Sequence, residues 1–259
     1  MSPLELCARL TAVGAVLSGL ELLVSRKAFG RSGVFSLRAV ELLTRCPALM
    51  AGADRALIGL LMAQSISGML LAAAGPLSVV GRVSLAVCLV SMLVVRWRRQ
   101  YGGDGAEQME LLTLLACAAA YLPWPSSARI EHATMFVGAQ VGLAYFTAGV
   151  VKLLSPAWRA GSALPGIVST HVHGSPLAAE LLRKAPRLAL VAGWIVIVFE
   201  CSFPVAFIGP PWLSIAFITT AVAFHIACAF VMGLNGFLWS FPAALPCVWA
   251  IAERISWAR

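Results

Sequence analysis

The sequence predicts an all-α integral membrane protein, a polytopic bundle of about eight transmembrane helices. Three observations carry that prediction. Of the 259 residues, 60% are hydrophobic and 12% are charged, about half the charge of a soluble domain. The mean hydropathy is +0.89. Apolar runs near the ~20 residues that cross ~30 Å of hydrocarbon recur along the whole chain, with the basic residues gathered between alternate runs.

The first run covers about 5–25 and contains Glu5 and Glu21 with no basic leader before it, so it is expected to stay as a span rather than be removed as a signal peptide. The segment after it carries RKAFGRSGVFSL, then Arg38, Glu41 and Arg45 in LRAVELLTRC, the pattern of a short amphipathic interfacial helix. Spans are expected at about 55–75 and 78–95. In RWRRQYGGDGAEQMELL, Gly102, Gly103 and Gly105 permit a tight turn around Asp104, which reads as a helix cap. Glu107 and Glu110 then fall in the first turn of a shorter fourth span, about 107–122, where acids complement the helix dipole.

The fifth span, about 132–154, places Tyr145, Gly149 and Lys152 on one stripe. Gly138 and Gly142 form a small-xxx-small pair that lets a neighbouring helix approach. The last three spans fall at about 187–208, 212–232 and 237–252. Together the spans consume most of the chain, leaving a single transmembrane domain over 1–259 with no sizeable soluble part.

A net charge of +8 does not indicate nucleic acid here, because topology concentrates arginine and lysine in loops. Arg26, Lys27, Arg31, Arg38 and Arg45 follow the first span, Arg96, Arg98 and Arg99 the third, and Arg159, Arg183, Lys184 and Arg187 the fifth. The alternate loops hold little beyond Arg82 and Arg129. By the positive-inside rule the odd-numbered loops are cytoplasmic.

The seven cysteines form no CxxC pair and no zinc-like cluster with histidine; a disulfide between Cys201 and Cys228, on neighbouring spans, stays open. His171 and His173 form an HxH without a third ligand at useful spacing, so no metal is expected.

Ionisable groups inside the apolar runs are the candidate site, since each costs at least ~2.5 kcal/mol to insert and is retained mainly where it is used. Lys152 either snorkels to the interface or points into the bundle. Glu200, near the middle of the sixth span, needs a partner or a proton, and Pro204 one turn on disrupts the helical ladder and opens room for a ligand or water. His225 lies in the seventh span with Met232 two turns along its face; it is either a satisfied core histidine or a proton relay. A desolvated lysine suits base chemistry because loss of hydration favours the neutral amine, which can take a proton from an acidic phenol.

The stretch YFTAGVVKLLSPAWRAGSAL, from Tyr145 to Leu164, resembles the lysine-bearing segment of vitamin K-dependent γ-carboxylase and its bacterial relatives, the horizontally transferred transmembrane (HTTM) domain family. The helix AFHIACAFVMGLNGFLWSFP around His225 and the segment after the first span resemble further parts of that family, so the likeness runs from about Arg26 to about Pro246. The resemblance implies that Lys152 is the base that starts quinol oxidation, with His225 and Glu200 as further catalytic residues. It also implies that Tyr145, Trp158, Asp104 and Met232 line the substrate or quinone site. Asp104 stands where the carboxylase carries a histidine-containing polar stretch. The implied cofactor is a reduced quinone of the menaquinone or vitamin K type, and the implied location a bacterial plasma membrane.

The chain lacks the large lumenal portion that the vertebrate carboxylase uses on glutamate-rich substrates, so glutamate carboxylation is not implied. Stand-alone proteins of this kind resemble the membrane partner of sporulation-delaying-type toxin systems, which suggests a small secreted peptide and a partner maturation protein. The family's active face is lumenal, the opposite of what the basic loops give. Two functions remain: a quinol-using enzyme that modifies or matures a peptide, and a non-catalytic membrane partner or immunity-type protein. A transporter would need an inverted repeat with broken helices, and no clear repeat is present.

Overall fold

The computed structural model describes residues 1–29, 33, 35, 53–99, 103–122, 124–171 and 174–257. The segment expected to form an interfacial helix around Arg38, Glu41 and Arg45 lies outside the described residues, as do Cys46, Gly102 and His173. Among the described residues the regular structure is entirely helical. Chain contacts divide it into two compact units, Met1–Ala133 and Thr134–Arg259.

The first unit contains α1 (Pro3–Val24), α2 (Ala53–Ala74), α3 (Val79–Arg99) and α4 (Gly105–Tyr121). Ser2 caps α1 by accepting from Glu5 N at 3.1 Å, and Pro3 supplies a helix-ready φ at its start. α1 packs along α2, and Gly68 allows it: a Cβ there would stand 2.8 Å from Ala12 O. Buried Gln64 crosses the same seam, donating to Ala15 O at 3.1 Å. Arg9 pairs with Glu5 and donates to Ala72 O and Ala73 O at 2.8 Å each, satisfying carbonyls that the end of α2 leaves open. Arg98, expected among loop residues, is instead a buried member of α3 whose Nη2 donates to Phe29 O at 3.4 Å.

The second unit holds most of α5 (Ser127–Leu154), short α6 (Pro156–Arg159) and α7 (Ala163–Val168), α8 (Pro176–Lys184), α9 (Pro186–Ser202), α10 (Val205–Ile208), α11 (Pro211–Met232) and α12 (Asn235–Trp257). The expected sixth span is broken where Pro204 removes a backbone donor, and α10 continues after a turn at Phe203–Pro204. Ser214 Oγ on α11 donates to Ala206 O at 2.7 Å and fastens that fragment. α11 ends at Gly233, whose φ of 68° is the left-handed cap that glycine adopts without strain.

Among the described residues six helices are each long and apolar enough to cross a membrane, α1, α2, α3, α5, α11 and α12, and α8 with α9 forms a seventh candidate, a pair bent by 108°. The fourth and sixth expected spans appear as 17-residue helices, α4 and α9, each just short of ~20 residues. Large apolar side chains such as Met69, Val83, Val90, Phe146, Ile195, Ile215 and Phe230 are exposed along these helices, which fits a hydrocarbon surround rather than water.

A cysteine placed at Met69, on the exposed face of α2, should stay unreactive to a membrane-impermeant maleimide in sealed vesicles, whereas one at Leu77, in the turn before α3, should react from one side. Equal labelling of the two positions would remove α2 from the membrane.

Candidate functional site

The small residues of α5 set how near its neighbours come. A Cβ at Gly138 would lie 2.7 Å from Cys247 O of α12, and one at Gly142 would lie 2.4 Å from the Phe207 ring of α10. At Gly149 it would stand 2.5 Å from Cys201 N and 2.8 Å from Glu200 C, so the α9 backbone rests directly on that glycine. One turn further on, Lys152 therefore meets Glu200.

Lys152 Nζ donates to Glu200 Oε2 at 2.6 Å. The glutamate side chain is 4% exposed and the lysine 20%, so the pair is shielded on the carboxylate side. The ammonium also lies 5.3 Å from the centre of the Trp158 ring on α6, within cation–π range. Lys152 thus turns inward instead of snorkelling. Glu200 sits in the last turn of α9, not mid-helix as expected, because the helix stops before Pro204.

A second polar contact lies beside the first. Tyr145 Oη and His225 Nε2 are 2.7 Å apart. The Tyr145 ring stacks on Phe203 at 4.1 Å and 15°, and the imidazole stacks on Phe241 at 5.0 Å and 22°. Phe237 extends that stack, 5.7 Å from Phe241. His225 is buried and its Nδ1 has no hydrogen-bond partner, a cost of about 1–3 kcal/mol unless something else in the site answers it.

Lys152, Glu200, His225, Tyr145, Trp158 and Met232 line one cavity of about 320 Å³, together with Phe224, Phe237, Phe241, Cys228 and the α7 residues Leu164 and Ile167. Six of the seven residues expected at the site are thereby brought together. The seventh, Asp104, belongs to the first unit and caps α4, its Oδ1 accepting from Glu107 N at 2.9 Å. His171 is exposed, and no group of three metal-ligating side chains occurs among the described residues. Cys201 and Cys228 are both free thiols, so the disulfide left open between them is not formed. A larger hollow of about 630 Å³ between α9 and α11 is lined by Trp194, Val198, Phe217 and other side chains without an ionisable group.

The sequence reading did not anticipate the aromatic wall. Phe237 and Phe241 are spaced i, i+4, a signal that was available, but their turn toward His225 depends on how α12 packs on α11.

No protein-family model matches the chain, and no curated protein or solved structure does either. The site stands on its geometry alone.

Gly149→Ala should lower thermal stability by about 1–3 kcal/mol, the usual range for overpacking, because the added methyl meets backbone that cannot step aside. An unchanged melting temperature would mean that α5 and α9 are not in contact there. Lys152→Met alone should cost about 3 kcal/mol, the low end of the range for breaking a buried pair since the lysine is partly exposed, while Lys152→Met with Glu200→Leu should recover most of the loss. Equal melting of the single and double variants would show that the two side chains are not coupled.

Proposed function

We propose that the second unit is the working part of a quinol-using membrane enzyme in which Lys152 is the base. The observation that carries the reading is the Lys152–Glu200 contact at 2.6 Å inside an apolar, aromatic-walled cavity. The resemblance of the Tyr145–Leu164 stretch to the HTTM and vitamin K-dependent carboxylase family supports the same assignment.

The residues fit a reduced quinone ring. The wall offers flat aromatic faces at Phe237 and Phe241, and the unpartnered Nδ1 of His225 needs a hydrogen-bonding oxygen or hydroxyl. A bound reduced quinone supplies an acidic phenolic proton and two reducing electrons. What the chain itself does is move a proton. Glu200 Oε2 can accept one from Lys152 Nζ across their hydrogen bond, turning an ion pair into a neutral amine and a neutral acid with no change in total charge. The freed lone pair on Nζ can then take a proton from an acidic hydroxyl in the cavity, regenerating the ammonium. An arginine at that position would hold its proton throughout. Tyr145 fixes the ring of His225 through Nε2, which leaves Nδ1 to orient the ligand.

We read α4 and the α9–α10 pair as spans as well, giving eight crossings. At ~1.5 Å per residue a 17-residue helix reaches ~25 Å, enough for a thin bilayer. The substrate proposed from the resemblance is a small secreted peptide matured with a partner protein. The rival reading is a non-catalytic membrane partner, for which Lys152–Glu200 would be a strut between helices.

Reconstituted protein supplied with reduced menaquinone and oxygen should consume oxygen, and Lys152→Ala and Lys152→Arg should each lower the rate at least about 100-fold, the scale of a lost general base. Wild-type rates in both variants, with the fold intact, would make the lysine structural.

A further inference from the structure

The helix α8 has two unlike faces. Leu177 and Leu181, one turn apart, are 82% and 54% exposed, while Leu182, with Glu180 and Arg183 at its edge, borders a hollow against α6–α7. Glu180, Arg183 and Lys184 occupy the remaining arc, and Arg183 and Lys184 both pair with Glu180, at 2.7 and 3.0 Å. Hydrogen bonds from Arg183, then from Lys184, hold the Glu180 carboxyl below its ordinary range, so it stays an anion at neutral pH. In the chain, Arg187 follows directly at the start of α9. Counting Arg183, Lys184 and Arg187 against Glu180 gives a net charge of +2 over α8 and the first turn of α9.

Geometry adds what charge alone does not. α8 and α9 are separated by one residue, Ala185, and meet at 108°. With α9 read as a span, as proposed above, a helix tied this closely to it at nearly a right angle is placed along the bilayer surface. There, two exposed leucines reach acyl chains while the basic arc meets headgroups.

We propose that α8 docks on an anionic lipid surface, with Leu177 and Leu181 inserted at the headgroup–acyl boundary and Arg183, Lys184 and Arg187 binding anionic headgroups. A soluble protein partner would not account for the right-angle junction with α9. The α6–α7 segment, which supplies Trp158, Leu164 and Ile167 to the lysine cavity, directly precedes α8. The cavity's cover therefore lies at the same leaflet, and the anionic cytoplasmic leaflet is the one such a helix selects.

The test uses the full chain in nanodiscs of phosphatidylcholine alone or mixed with phosphatidylglycerol. Leu181→Cys is labelled with bimane, and wild-type protein labelled in parallel supplies the background of native thiols. The label should be quenched by brominated lipid and screened from iodide, unlike one on His171→Cys in the exposed turn before α8. The purified protein should retain phosphatidylglycerol over phosphatidylcholine by at least about fivefold, and Arg183→Gln/Lys184→Gln/Arg187→Gln should abolish that preference; about fivefold per basic residue is the scale at a membrane surface. Iodide quenching equal to that at position 171 would overturn the proposal. So would screening that appears in detergent and grows with protein concentration, which would indicate a second copy, or a lipid preference unchanged in the triple variant. None of these readouts depends on quinol chemistry, so a failure here is distinct from a failure of the enzymatic reading.

Discussion

A lysine and a glutamate hydrogen-bonded inside a helical bundle constrain everything around them. Each charge alone would be costly where water is scarce, and their contact removes most of that cost. For Nζ and Oε2 to meet at 2.6 Å, α5 and α9 must touch. Gly149 is what lets them, since no side chain could stand between its Cα and the backbone at Glu200–Cys201. Pro204 then ends α9 just beyond the acid, and Ser214 holds the displaced fragment to α11. The cavity occupies the space beside that junction.

Around the pair the aromatic side chains do two jobs. Tyr145 bonds His225 while stacking on Phe203, and His225 stacks on Phe241, so both polar side chains are fixed by packing as well as by hydrogen bonding. Rotation of the imidazole would break the Tyr145 contact and disturb the stack together. One ring nitrogen is thus committed and the other, Nδ1, is left without a protein partner. In a low-dielectric cavity an imidazole nitrogen left so is costly, and the proposed ligand would be what answers it.

Much of this was legible in the sequence because charge and hydropathy act locally. Lys152, Glu200 and His225 are conspicuous as ionisable residues within apolar runs, and the glycines of α5 announce close packing by their spacing. Asp104 was equally legible as a cap, from its place before the acidic first turn of α4. The direct pairing of Lys152 with Glu200 was not legible, for it joins residues 48 positions apart and depends on how three helices pack. The wall of Phe237 and Phe241 stayed hidden for the same reason. Arg98 misled because arginine at the end of an apolar run usually belongs to a loop, whereas here its helix continues and its guanidinium reaches Phe29 O. The right-angle junction at Ala185 was hidden too, since the sequence shows a basic segment before a span but not the angle between them.

The central claim is that Glu200 takes a proton from Lys152 so that the amine can act as a base. Infrared difference spectroscopy of the reconstituted protein, recorded as reduced menaquinone is added, addresses it most directly. The account predicts loss of a carboxylate signal and gain of a protonated carboxyl C=O band that disappears in Glu200→Gln and is absent in Lys152→Met. An unchanged spectrum with quinol demonstrably bound, or a carboxyl band that survives in Glu200→Gln, would contradict it.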